Sequence, residues 1–139
     1  MDDVVLPKNY QPNEKEAFMG QKQREYFRRR LLEWKAEILR DAQDTLLNLQ
    51  ESEGQSPDIA DRASTESERT LELRTRDRQR KLIAKIDAAL SRVEDGSYGY
   101  CEDSGEPIAL KRLIARTIAT LSIEAQERHE RRERVYRDD

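Results

Sequence analysis

The stretch FRRRLLEWKAEILRDAQDTLLNL, Phe27 to Leu49, decides the fold. Phe27, Leu31, Trp34, Ile38, Ala42, Thr45 and Leu49 recur at steps of four, three, four, four, three and four. That is the spacing of one face of an α-helix. No proline interrupts residues 13–53 and only Gly20 stands among them, so one long helix is expected over that span. The additional four-residue step is a stutter, which predicts a nearly straight rather than strongly supercoiled helix pair.

Outward from this helix, Ser52-Glu53-Gly54-Gln55-Ser56-Pro57-Asp58 breaks the pattern with Gly, Ser and Pro together. A second helix follows from about Ile59 to Glu94. Leu82, Ile86, Ala89 and Val93 form its clearest apolar stripe, with Leu71 further up the same limb. Two helices joined by a short connection pack antiparallel. Roughly 30 residues per limb, at ~1.5 Å each, give a finger about 45 Å long. Its seam is well specified near the base and thinly apolar toward the tip. A slender polar tip suits insertion into a channel, while a plain dimerising coiled coil is the bland alternative.

Pro7 and Pro12 mark an irregular leader, and Asp95-Gly96-Ser97-Tyr98-Gly99-Tyr100 ends the hairpin. Residues 98–110 suggest a small β-turn unit with Asp103-Ser104-Gly105 at its turn. A last helix is expected from Leu121 or Ser122. There Glu124–Arg128, Glu127–Arg131 and Glu130–Arg134 are spaced for i,i+4 ion pairs. The chain therefore divides into a leader (1–19), a hairpin (20–94, tip near 53–63), a small knob (95–120) and a C-terminal helix (121–139). The fold class is mainly α: a long antiparallel coiled-coil hairpin, the knob, and the terminal helix.

Composition agrees with this and narrows the function. Of 139 residues, 40% are charged and 35% hydrophobic, which suits a narrow seam between long helices rather than a thick layered core. Full disorder is the competing reading of so polar a chain, and the regular apolar spacing argues against it. A net charge of -3, from 29 acidic and 26 basic residues, offers no basic excess for a duplex. No run approaches ~18 apolar residues, and MDDVVLPKNY lacks the order of a signal peptide. A cytoplasmic monomer without membrane contact is expected. The single cysteine, Cys101, excludes an internal disulfide and cannot alone make a zinc site. No Ser/His/Asp set, phosphate loop or metal motif points to an enzyme.

Specific strings then bring a family into view. Phe27-Arg28-Arg29 with Trp34 seven residues on, Pro57-Asp58 before Asp61-Arg62-Ala63, and Leu71-Glu72-Leu73-Arg74 leading to Arg76-Asp77-Arg78 resemble the DksA/TraR family. So do Arg80-Lys81-Leu82-Ile83, Val93-Glu94-Asp95, Tyr98-Gly99-Tyr100-Cys101-Glu102, Arg112-Leu113 and Ala115-Arg116. The match runs in order from about residue 14 to 126. It implies a transcription regulator that enters the secondary channel of RNA polymerase. Such a factor changes promoter-complex stability with the alarmone guanosine tetraphosphate (ppGpp), as in the stringent response, and does not bind promoter DNA by sequence.

The departure is at the metal. The family has two pairs of cysteines with CxxC spacing. Here the first pair reads Cys101-Glu102-Asp103-Ser104 and the second Ser122-Ile123-Glu124-Ala125. A hydroxyl and a methyl do not replace thiolates around tetrahedral zinc. Glu102, Asp103, Glu124 and His129 recover no two clean pairs, so Cys101, Ser104, Ser122 and Ala125 are read as a degenerate site without zinc. Packing of Tyr98, Tyr100, Ile108, Leu113 and Leu121 is expected to hold the knob instead. Cys101 reads as a small buried side chain rather than a sensor, because no resolving cysteine exists.

The resemblance also assigns roles. Asp58, Asp61 and Ala63 fall at the tip motif that acts near the polymerase active site. As plain structure, Asp58 and Asp61 resemble a capping box at the start of the second helix. Arg78 falls where the family contacts the acidic channel rim, although charge runs are usually solvated faces. Leu82, Lys85 and Arg116 match the alarmone site, where cations suit phosphate, and Gln126 stands where the family carries another cation. Phe27 and Trp34 read as core, and His129 as exposed and inert. Two rival readings stay open. One is a Gre-like transcript-cleavage factor using Asp58 and Asp61 with the polymerase's magnesium. The other is a structural coiled-coil adaptor, which would not need the tip residues.

Overall fold

The computed structural model describes residues 4–53 and 59–137, the side chains of residues 49, 51–53, 59–62 and 136–137 excepted. It contains α1 (Gln21–Glu53), α2 (Ile59–Asp95), α3 (Leu110–Ala115) and α4 (Ile123–Arg137). No strand occurs among the described residues; Tyr100 and Pro107 form an isolated antiparallel bridge. No helix of these residues is long and apolar enough to cross a membrane. The chain forms two compact units: Leu32–Asp87, and Met1–Leu31 together with Ala88–Asp139.

The first unit is the outer part of a hairpin. Lys35 Nζ meets Asp87 Oδ1 at 2.7 Å, and further along α1, Ala42 shares a cavity with Gln79 and Arg80. As α1 advances α2 runs back, so the pair is antiparallel. Ile38 and Ile86 are buried. Beyond them the seam turns polar, with Ala42, Thr45, Glu72 and Gln79 half-buried. Among the described residues, the covered oxygens Glu72 Oε2 and Gln79 Oε1 have no hydrogen-bond partner. Leu71, read from sequence as part of the stripe, is exposed instead. Seven residues separate it from Arg78 on a helix whose seam is carried by Glu72, Thr75 and Gln79.

The second unit holds the larger core. Phe27, Leu31, Val93, Tyr98, Ile108 and Leu113 are buried. The Phe27 and Tyr98 rings lie 5.4 Å apart, and Tyr98 Oη donates to the Thr117 carbonyl at 2.7 Å. Desolvation pushes the Tyr98 hydroxyl pKa well up, so it stays a donor. Two arginines of α1 bind carbonyls across the unit: Arg24 to Val93 at 2.7 Å and Arg30 to Ile114 at 2.9 Å. Arg28 and Arg29 turn back to Glu25, both at 2.8 Å. The hydrogen bond from Arg28 leads the causes that hold this buried carboxylate ionised, its pKa lowered despite desolvation.

Several expectations need correction. α1 begins at Gln21, not near Asn13. Met19 adopts φ 53°, and buried Gln23 accepts the Met19 N–H at 3.0 Å while donating to the Asn13 carbonyl at 3.1 Å. Gly99 takes φ +90°, which strains any side chain, and Met19 Cγ, 3.1 Å from where a Cβ would stand, would have to give by a few tenths of an ångström. Trp34 is only half-buried and Tyr100 is exposed. α3 was not foreseen; its Leu110 and Leu113 are buried. Among the described residues the three Glu–Arg pairs of α4 do not close, and Arg131 Nε reaches the Glu127 carbonyl at 3.4 Å instead.

Phe27→Ala removes the ring on which Tyr98 packs and should cost about 3–5 kcal/mol in urea unfolding followed by circular dichroism. Leu71→Ala, on an exposed surface, should cost less than about 0.5 kcal/mol in the same measurement.

Candidate functional site

The residues singled out from sequence lie in three places. Asp58 lies outside the described residues, as does the side chain of Asp61. Ala63 is exposed near the start of α2, and Arg78 and Lys85 are exposed further along it, with Leu82 half-buried. Arg116 is exposed just after α3, where its N–H bonds the Arg112 carbonyl. Leu82 and Lys85 belong to one unit and Arg116 to the other.

The knob shows what stands at the degenerate metal positions. Cys101 is 2% exposed. Its Sγ accepts the Ser122 N–H at 3.4 Å, and Ser122 Oγ accepts the Ala125 N–H at 3.2 Å, so the serine caps α4. The Ala125 methyl is fully buried. Around them, Cys101 N–H donates to Glu106 at 2.8 Å, Glu102 N–H to Thr120 at 2.9 Å, and Gly105 N–H to Cys101 at 2.8 Å. Arg112 Nε meets the Leu121 carbonyl at 2.8 Å. One sulfur, two capping or bonding hydroxyls and a methyl do not fit tetrahedral zinc. No group of three or more His, Cys, Asp and Glu able to hold a metal occurs among the described residues.

Cys101 is nonetheless not an ordinary thiol. Burial pushes its pKa up, but hydrogen bonds from Ser104 and Ser122 outweigh that and bring it down to about 6. A further contact escaped the sequence: His129 of α4 meets Asp103 Oδ2 at 2.7 Å. The two are 26 residues apart, and nothing in their local spacing signals the pair. It forms only once the Ser122 cap lays α4 beside the 101–106 turn. His129 is thus half-exposed and partnered.

Comparison with known proteins fits this geometry. Residues 23–93 match the family described as DnaK suppressor protein DksA, N-terminal domain. Residues 96–131 match the prokaryotic dksA/traR C4-type zinc finger. The chain belongs to the DksA family. Among relatives of this DksA-family chain, the "RNA polymerase-binding transcription factor DksA" of Caulobacter vibrioides is 63% identical, over 98% of this chain and 96% of the relative. The protein of the same name from Escherichia coli is 42% identical, over 90% and 83%. The solved structure of transcription factor DksA2 from Pseudomonas aeruginosa superposes with a TM-score of 0.81 at 43% identity, covering 89% of this chain and 94% of that one. The family's zinc-finger segment is therefore present here as a fold whose metal donors are reduced to Cys101.

The thiol gives a pH test. Its pKa in the folded chain, about 6, lies below the ordinary 9.0. The stabilisation is therefore present in full above pH 9 and lost as pH falls through 6. Cys101→Ala should be compared with the parent by urea unfolding across this range. The stability difference should widen from pH 6 to pH 9, and the ultraviolet thiolate signal of the folded parent should titrate near the lower value.

Proposed function

We propose that this protein binds RNA polymerase through the secondary channel and regulates transcription from inside it. The observation that carries the reading is the helical hairpin, matched over residues 23–93 by the DksA N-terminal domain. Relatives alike over most of their length are named for polymerase binding. In this reading the finger enters the channel tip first. Asp58 and Asp61 bring negative charge toward the polymerase active site, and Ala63 leaves room for close approach. The exposed guanidinium of Arg78 meets acidic groups at the channel rim.

Guanosine tetraphosphate is the proposed effector. Lys85 and Arg116, both exposed, supply cations for its phosphates, and Leu82 supplies an apolar wall. Gln126, on α4, contributes no charge. Neither metal nor promoter sequence is used, and the protein acts as a cytoplasmic monomer rather than as an enzyme.

The test is paired: polymerase affinity by competition, and transcription in vitro from a ribosomal RNA promoter, with and without alarmone. Asp61→Asn keeps size and most hydrogen bonding while removing charge, so affinity should persist and regulation should collapse. Lys85→Ala or Arg116→Ala should weaken the alarmone response more than polymerase binding. Full regulation by Asp61→Asn would remove the tip from the mechanism, and absence of polymerase binding by the parent chain would remove the reading itself.

A further inference from the structure

The outer unit of the hairpin carries a feature that the proposed tip, rim and effector residues do not use. A cavity of about 400 Å³ opens between α1 and α2, lined by Ala42 on one side and Leu73, Arg76, Gln79, Arg80 and Ile83 on the other. Leu73 is 60% exposed, and Leu39 and Leu46, one turn before and after Ala42, are 50% and 38% exposed. From Leu39 to Leu46 the helix advances about 10 Å, which suits a short peptide segment better than a compact small molecule.

Polar groups in the groove state what that segment must carry. Asp77 is already engaged by Arg80 at 2.7 Å and Lys81 at 3.1 Å. Arg76 forms no ion pair among the described residues, so the groove has positive charge left over. Gln79 Oε1 is covered, with no donor among the described residues, and so is not itself presented to an incoming segment. Leu73, Arg76, Arg80 and Ile83 follow at steps of three, four and three and share one face of α2. Arg78 is two residues from both Arg76 and Arg80, which turns it about 200° away. The groove is therefore not the face that meets the channel rim through Arg78.

We propose that this groove is a second docking face, taking an acidic amphipathic segment of RNA polymerase. A bulky apolar side chain of that segment enters between Ala42, Leu73 and Ile83, and a neighbouring carboxylate pairs with Arg76. The proposal rests on the polymerase-binding reading and adds where and by what chemistry the limbs of the finger are gripped. Charge decides between candidate occupants: a basic or neutral apolar segment would leave Arg76 facing a cation or nothing.

Two measurements on the full chain test it. In competition for core polymerase, the double variant Leu73→Gln, Arg76→Glu should lose affinity on the order of tenfold or more, with helix content unchanged because both side chains face solvent. Part of that loss should fade at high salt. In the second, Leu73→p-benzoyl-phenylalanine is photo-crosslinked within the polymerase complex and the captured peptide is sequenced. The proposal expects a polymerase peptide with Asp or Glu beside a bulky apolar residue. Wild-type affinity in the double variant would overturn it. So would capture of a second copy of this chain, or of a polymerase peptide without an acidic residue. If the parent chain itself fails to bind polymerase, the failure lies with the polymerase reading, and the groove's named occupant falls with it.

Discussion

The packing of Phe27 on Tyr98, with the Tyr98 hydroxyl bonded to the Thr117 carbonyl, is the contact on which the inner unit depends. It joins the start of the hairpin to a knob of some 25 residues that contains little regular structure. Most of that knob's backbone polar groups would be costly to leave unpaired. Arg24 reaches from α1 to the Val93 carbonyl just before it and Arg30 to the Ile114 carbonyl within it. The knob is thus assembled on α1 rather than folded alone, as expected when a segment is too small to bury its own core.

That dependence explains how three metal donors can be missing. A structural zinc fixes a loop by tying four distant side chains to one point. Here the same positions are tied by smaller contacts. Cys101 accepts the Ser122 N–H, Ser122 caps α4, Ala125 fills the space beneath, and Asp103 meets His129. Each is modest on its own, about 0.5–1.5 kcal/mol for an ordinary hydrogen bond. Together with buried Tyr98, Ile108 and Leu113 they define the same turn-and-helix arrangement.

The hairpin was legible because heptad-like spacing is a one-dimensional signal. Phe27, Leu31 and Ile38 sit where the period places them. The period misled where polar residues take over the seam: Leu71 is exposed, and Glu72 and Gln79 turn inward. The path of the leader across the start of α1 was hidden because it depends on Gln23 bonding a chain segment ten residues earlier. His129 could not be placed from its acidic and basic neighbours, since its partner lies across a tertiary contact. The degenerate metal positions were legible from CxxC spacing alone, whereas the donors now serving Cys101 required the fold. Site assignments at Asp61, Arg78, Lys85 and Arg116 came from family resemblance, and the exposure of Arg78, Lys85 and Arg116 is compatible with contact to a partner.

The central claim is that the knob is held without metal, by its own hydrogen bonds and by the hairpin base. Amide hydrogen exchange in the presence of a strong zinc chelator tests it most directly. The relevant amides are those of Cys101, Glu102, Ile108 and Ala125, which bond Glu106, Thr120, Gly99 and Ser122 respectively. The account predicts that all four stay protected to the same degree with and without chelator, in protein carrying no stoichiometric zinc. Loss of their protection on chelation, accompanied by release of about one zinc per chain, would contradict it.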